Sequence, residues 1–100
     1  MRMEVHQGDV LKIENISVPV LVASKDFFNK TGEIVGCPVY KNGKPGALSI
    51  KVQAKEIEGF VQCEKLSLLD LRVRGHSKID RISMAEIIDI TDAIQGIFDY

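Results

Sequence analysis

Along most of the chain, apolar and polar residues alternate with the short period of pleated strands, and only the last fifth changes to helical spacing. After Gly8-Asp9, the run Val10-Leu11-Lys12-Ile13-Glu14 predicts a strand, and a turn at Asn15 leads into Ile16–Ala23, giving a first hairpin. Ser24 is placed to cap a short helix over Lys25–Lys30, with Thr31-Gly32 ending it and Phe27-Phe28 plugging the core. Glu33–Tyr40 predicts the next strand. Lys41-Asn42-Gly43-Lys44-Pro45-Gly46 is the strongest turn signal, because Asn-Gly and Pro-Gly supply special backbone angles. Ala47–Val52 predicts a further strand, Lys55–Gly59 a polar turn, and Phe60–Leu71 one long strand bent or bulged near Ser67.

The closing element differs in kind. Ser83-Met84-Ala85-Glu86 fits a capping box, so a helix is predicted from there to about Phe98. Met84, Ile87, Ile88, Ile94, Ile97 and Phe98, widened by Ile90, form its apolar stripe, and Glu86, Asp89, Asp92 and Asp99 take the other side. The 100 residues make one domain spanning 1–100, and a chain this size buries roughly 60 to 70% of its unfolded surface in a single core. Short strands and a terminal helix predict a mainly β, α+β fold: a small, strongly bent antiparallel sheet closing as a barrel.

Composition and charge narrow the chemistry. Cys37 and Cys63 sit inside apolar runs, and with only His6 and His76 beside them no spacing suits a metal site, so core cysteines and no metal are predicted. No apolar run approaches the roughly 18 residues of a membrane span. Residues 1–10 alternate charge and apolarity without the apolar centre of a leader, and a cytoplasmic location with no membrane partner is expected. The net charge is −1, but its distribution is uneven. Residues 41–81 carry nine Lys or Arg against five Asp or Glu, whereas residues 82–100 carry four acids and no base. Such polarity allows one basic face, the electrostatic footprint of a nucleic-acid partner.

Within the basic region, Val61-Gln62-Cys63-Glu64-Lys65-Leu66 carries a carboxylate on an apolar strand pattern, and Arg72 and Arg74 follow within a hairpin's reach. RNA supplies its own nucleophile, the 2′-hydroxyl. A site that orients it, removes its proton, stabilises the phosphorane and protonates the leaving oxygen therefore needs only a base, a cation and a proton donor.

Gly8-Asp9-Val10, Ser17-Val18-Pro19-Val20-Leu21-Val22, Cys37-Pro38-Val39, Val61-Gln62-Cys63-Glu64-Lys65, Leu69-Asp70 and Arg72-Val73-Arg74-Gly75, in that order, resemble the MazF/PemK-like toxins of bacterial toxin-antitoxin modules over nearly the whole chain. The resemblance implies a CcdB/PemK-type barrel related to SH3 barrels and a homodimer. It further implies cleavage of single-stranded RNA without a metal or other cofactor, and neutralisation by a cognate antitoxin peptide. Carried over by motif, Glu64 matches a carboxylate given an acid-base role, Arg74 matches the arginine of Val-Arg-Gly, and Asp9 matches an acidic position near the RNA groove.

Three positions depart from the family pattern. Gln62 stands where some members have Arg, Val18 where Arg usually precedes Pro, and Tyr40 where Thr or Ser usually follows Cys-Pro-Val. Glutamine donates a hydrogen bond but delivers neither a proton nor a positive charge. The resulting expectation is an endoribonuclease using Glu64, Arg74 and Gln62, with RNA contacts from Asp9, Tyr40, Lys41, Lys65, Arg72 and His76. The alternative is a catalytically degenerate module that binds RNA or an antitoxin without cleavage. Plainer readings stay open for single residues: Glu64 as a solvent-facing strand residue, Arg72 and Arg74 as surface ion pairs with Asp70 or Asp80, and Tyr40 as the edge of the core.

Overall fold

The structure, a computed structural model, describes residues 4–99. The alternation read over residues 1–3 lies outside the described residues. The elements are β1 (Asp9–Ile13), β2 (Val20–Val22), α1 (Asp26–Asn29), β3 (Glu33–Tyr40), β4 (Ser49–Gln53), β5 (Glu58–Gln62), β6 (Ser67–Asp70), β7 (His76–Arg81) and α2 (Met84–Gly96). All strand pairings are antiparallel, in the order β4-β5-β3-β2-β1-β7, with β6 also pairing β3. The expected bent antiparallel barrel with a terminal helix is therefore the observed architecture.

β3 is the spine. Its end takes β5, with Val39 opposite Val61, and its start takes β6, with Gly36 opposite Ser67. Six residue steps from Val61 to Ser67 thus match only three from Val39 to Gly36, so the segment expected as one long strand is two strands joined by a turn at Cys63–Leu66. The Cys63 amide donates to the Leu48 carbonyl and the Lys65 amide to that of Gln62, which pins this turn. β7 escaped prediction because His76-Ser77-Lys78-Ile79-Asp80-Arg81 has one apolar residue: as an edge strand it needs no apolar alternation.

The sheet curls until its ends meet. The Asp80 carboxylate on β7 accepts from the Glu56 amide at 2.6 Å and the Ile57 amide at 2.9 Å, in the turn between β4 and β5. A second clasp joins helix to sheet: Ser83 and Glu86 complete the capping box, and the other Glu86 oxygen accepts from the Gln53 amide at the end of β4. Ile87 and Ile90 then close the barrel over Val10, Leu21, Val52, Val61, Cys37 and Cys63, each contributing about 1.5–3 kcal/mol through burial. A second cluster, Leu11, Ile13, Val20, Val22, Ile34 and Leu69, fills the opposite face of β1, β2 and β3.

Three local expectations are corrected. Ser24 does not cap α1; its hydroxyl donates to Asn29 and accepts from the Val35 amide, tying the short helix to β3. Phe27 does not plug the core, since α1 buries no residue and this ring is 76% exposed. Asn42-Gly43 uses no positive φ. Gly43 is required there because a Cβ would meet the Phe60 side chain at 2.8 Å. Asn15 (φ 66°) and Gly32 (φ +96°) do take the left-handed turns read at those positions. On α2, Met84, Ile88, Ile97 and Phe98 are exposed, so the buried face is narrower than the apolar stripe.

Both clasps predict acid sensitivity. Burial pushes the Asp80 and Glu86 carboxyls up, but several amide donors outweigh it and hold both below their ordinary values of 3.8 and 4.5. A depressed folded-state pKa gives stability that is fully present above the unfolded value and lost as pH falls below it. Urea midpoints should therefore hold steady above the usual carboxylate range and decline below it, and the Asp80→Asn variant should show a shallower decline.

Candidate nucleic-acid interface

Cross-strand register decides which side chains share a face. Tyr40 lies opposite Phe60, Lys51 opposite Phe60 and Ser49 opposite Gln62, and directly opposed residues project to the same side. Since Gly59, Val61 and Cys63 point into the core, Phe60 and Gln62 point out. The Lys65 ammonium lies 5.0 Å from the centre of the Tyr40 ring, a contact worth about 0.5–1 kcal/mol at an exposed site. Gln62 Nε2 donates to Ser49 Oγ at 3.1 Å. Tyr40, Gln62 and Lys65 thus share the outer side of β3 and β5, with Glu64 exposed in the turn after β5 and Lys41 exposed beyond Tyr40.

Phe60, Lys51 and Ser49 complete this surface, and the sequence reading passed over them. The signal was available in the shared parity of Phe60 and Gln62, but which strands are neighbours depends on the turn at Cys63–Leu66. Val20 faces Pro38, so continuing the register carries Val18 alongside Tyr40, a placement supported by the Val39 amide donating to the Pro19 carbonyl. The two positions where the family carries Arg and Thr are therefore neighbours, holding an alkyl group and a phenol.

The arginines lie elsewhere. Arg72 is held in a bidentate pair by Asp70, at 2.9 and 3.0 Å, and packs over Gly32 at the start of β3. This pair lowers the Asp70 carboxyl and raises the Arg72 guanidinium. Arg74 lies in the loop before β7, where the Gly75 carbonyl accepts from the Glu14 amide; its own carbonyl sits 3.1 Å from His76 Nδ1. Among the described residues the Arg74 guanidinium makes no ion pair. In strand order β3, β2 and β1 separate β7 from β5, four spacings or roughly 19 Å along the sheet at about 4.8 Å each. One protomer does not place Glu64 and Arg74 in contact.

Asp9 occupies a third place. It is fully buried, with its oxygens taken by Arg81 Nη1 (2.8 Å), Lys78 Nζ (3.1 Å) and the His6 amide (2.8 Å). Residues three apart on a regular strand face opposite ways; here a register shift between Val10 and Leu11 swings Lys78 and Arg81 onto one carboxylate. What this knot presents to solvent is its two half-exposed cations, with the Asp26 carboxylate exposed nearby.

The cysteines behave as core residues. Both are buried and free. Burial first, then the charge of Glu64, pushes Cys63 up to about 11; Cys37, raised by burial and by Cys63 and Glu64, reaches about 12. Neither should react with iodoacetamide in the native protein at pH 8, whereas both should react at once in denaturant, as mass spectrometry would show.

Among the described residues no three His, Cys, Asp or Glu side chains converge as metal ligands would, and no helix is long and apolar enough to cross a membrane. No curated protein sequence matches the chain. Solved structures match its fold closely. A MazE-MazF complex from Deinococcus radiodurans superposes with a TM-score of 0.87 at 20% identity, covering 97% of this chain and 98% of the other. An endoribonuclease from mycobacterial species gives 0.83 at 15% identity over 96% and 92%. An endoribonuclease bound to its cognate antitoxin, also mycobacterial, gives 0.81 at 15% over 94% of each chain. At the level of sequence, the family profile described as PemK-like, MazF-like toxin of type II toxin-antitoxin system matches residues 9–98. With nine-tenths of its length so matched, the chain belongs to the PemK/MazF-like toxin family of type II toxin-antitoxin systems.

Proposed function

We propose that this protein is the endoribonuclease toxin of such a module, cutting single-stranded RNA by attack of the 2′-hydroxyl on the neighbouring phosphate. The observation that supports the reading is the outward surface of Tyr40, Lys65 and Gln62, with Phe60 and Lys51 beside it and Glu64 exposed in the adjoining turn. Aromatic rings flanked by lysines suit unpaired bases and a phosphate chain. Glu64 takes the 2′-hydroxyl proton as the O2′–P bond forms. Gln62 Nε2 turns from Ser49 to donate to a phosphate oxygen, and Tyr40 returns a proton as the P–O5′ bond breaks, while His76, beside Arg74, contacts the RNA chain away from the cut. Arg74 holds the chain where it leaves the cut. Lys41 extends the basic track. Arg72 acts on RNA only through position, tied to Asp70, and Asp9, fully buried, orders its own cations rather than touching RNA.

The protein is read as a cytoplasmic homodimer, with the exposed Ile88, Ile97 and Phe98 of α2 packing against a second copy. A cognate antitoxin peptide occupies an open strand edge; MazE-MazF complexes among the structural neighbours support such a partner. A second reading is favoured by Val18 beside Tyr40, where the usual Arg and Thr are missing: a module that binds RNA or antitoxin without cutting. Incubation of the purified protein with long single-stranded RNA in excess EDTA separates the two. Discrete cleavage products support the enzyme; saturable, salt-sensitive binding with no product supports the binding module and overturns the enzyme reading.

A further inference from the structure

At the end of the barrel away from Tyr40, a cleft of about 560 Å³ opens between α1, β7 and the start of α2. Its lining includes Lys25, Phe27, Lys78 and Arg81, together with His6 and Asp26. We propose that this cleft is a separate nucleotide subsite, taking the phosphate of single-stranded RNA on Arg81, Lys78 and Lys25 and the attached base on Phe27.

Four observations converge on that ligand. The volume falls within the range of small-molecule sites, about 300–1,000 Å³. Asp9 needs one cation to offset its buried charge and is given two, Arg81 and Lys78, both half-exposed and both on the same oxygen. The surplus positive charge faces the cleft, and the shared carboxylate fixes both cationic heads before any ligand arrives, which lowers the entropic cost of holding an anion. Asp26 offsets only part of this charge: its carboxylate accepts from His6 Nδ1 at 2.8 Å and from the Gln7 amide at 3.2 Å and feels the Arg81 charge, which leaves Lys25, Lys78 and Arg81 against the two carboxylates of Asp9 and Asp26. Phe27, finally, is a large aromatic ring that nothing in the fold covers, standing beside the cations. A phosphate alone would not use it, and an acidic peptide would gain little from it. A nucleotide, with a charged group and a flat π-face, uses both.

The subsite shares with the proposed activity only the polymer it takes, so the two can fail separately. Chemical-shift mapping of the full-length protein with adenosine monophosphate tests it directly. The expected result is saturable shifts at the amides of Gln7, Lys25, Phe27 and Arg81, with affinity falling about tenfold in a Lys25→Ala/Phe27→Ala double variant, as loss of one stacked base and one cation implies. Both residues are exposed, so the fold should tolerate their removal. Absence of shifts at these amides, affinity unchanged in the double variant, inorganic phosphate binding as tightly as the nucleotide, or stronger displacement by an acidic peptide than by oligoribonucleotide would each overturn the proposal. Tyr40→Ala reports on the other surface: it should impair RNA cleavage and leave the cleft's nucleotide shifts unchanged.

Discussion

Glu64→Gln is expected to lower the rate of RNA cleavage by about 10²–10³-fold while leaving the urea midpoint within about 0.5 kcal/mol of the parent. The size follows from its assigned task, since a positioned general base contributes that order of acceleration and an amide cannot take a proton. The lack of a stability effect follows from position: Glu64 is exposed in the turn after β5, and no hydrogen bond or ion pair within the described residues depends on it. Its removal should also relieve a little of the charge that raises Cys37 and Cys63, though burial of those thiols dominates. A single-turnover assay on a labelled oligoribonucleotide checks the prediction. An unchanged rate would remove Glu64 from the mechanism, and a lost fold would make its role structural.

The largest stability effect is expected at the other end of the barrel. Replacing both Lys78 and Arg81 by methionine keeps much of their apolar stems but leaves Asp9 buried without a cation. Stripping a buried charge of its partners costs about 3–5 kcal/mol, and the proximity of water to this knot trims that to about 2–4 kcal/mol. For a domain of this length the corresponding fall in Tm is about 10–20 °C. Adding Asp9→Asn to the same double variant should recover more than half of the loss, because the amide needs no counter-ion and can still accept from the His6 amide. Thermal melts of the parent, double and triple variants decide the matter. A triple variant less stable than the double would mean that the carboxylate is held by something other than these two cations.

How much of this was legible beforehand follows from where the information resides. Local signals survived well. Ser83 and Glu86 form a capping box because both partners lie within one turn of chain, and β3 runs over Glu33–Tyr40 as read because turn residues bound it on both sides. The left-handed turns at Asn15 and Gly32 were likewise carried by residue type. What sequence did not disclose depends on distant pairing. That Phe60–Leu71 divides into two strands follows from β3 having both of them to pair along one edge. The polar β7 is a strand only because β1 supplies its ladder and Asp80 finds amides some two dozen residues back in the chain.

The site shows the same division. Tyr40, Gln62 and Lys65 share one side of β3 and β5 because those strands are neighbours, and Glu64 is exposed in the turn that follows β5. Arg74 did not join them, since its motif adjacency is adjacency along the chain while the sheet interposes three strands. Asp9 was read as an acidic group near RNA, yet its charge is consumed inside the protein, a fate settled by the register shift that brings Lys78 and Arg81 to it. Phe27 was assigned to the core on hydrophobicity alone. Its exposure is explicable only once the strands are seen to fill the interior without it.

The central claim is that RNA is cut by its own 2′-hydroxyl. The most direct measurement offers the protein, in EDTA, a labelled single-stranded oligonucleotide and its all-deoxy counterpart, with mass spectrometry of the ends. The account predicts that only the ribose strand is cut, leaving a 2′,3′-cyclic phosphate on one fragment and a free 5′-hydroxyl on the other. Cleavage of the deoxy strand, a 5′-phosphate on the product, or an intact ribose strand at saturating protein would contradict it.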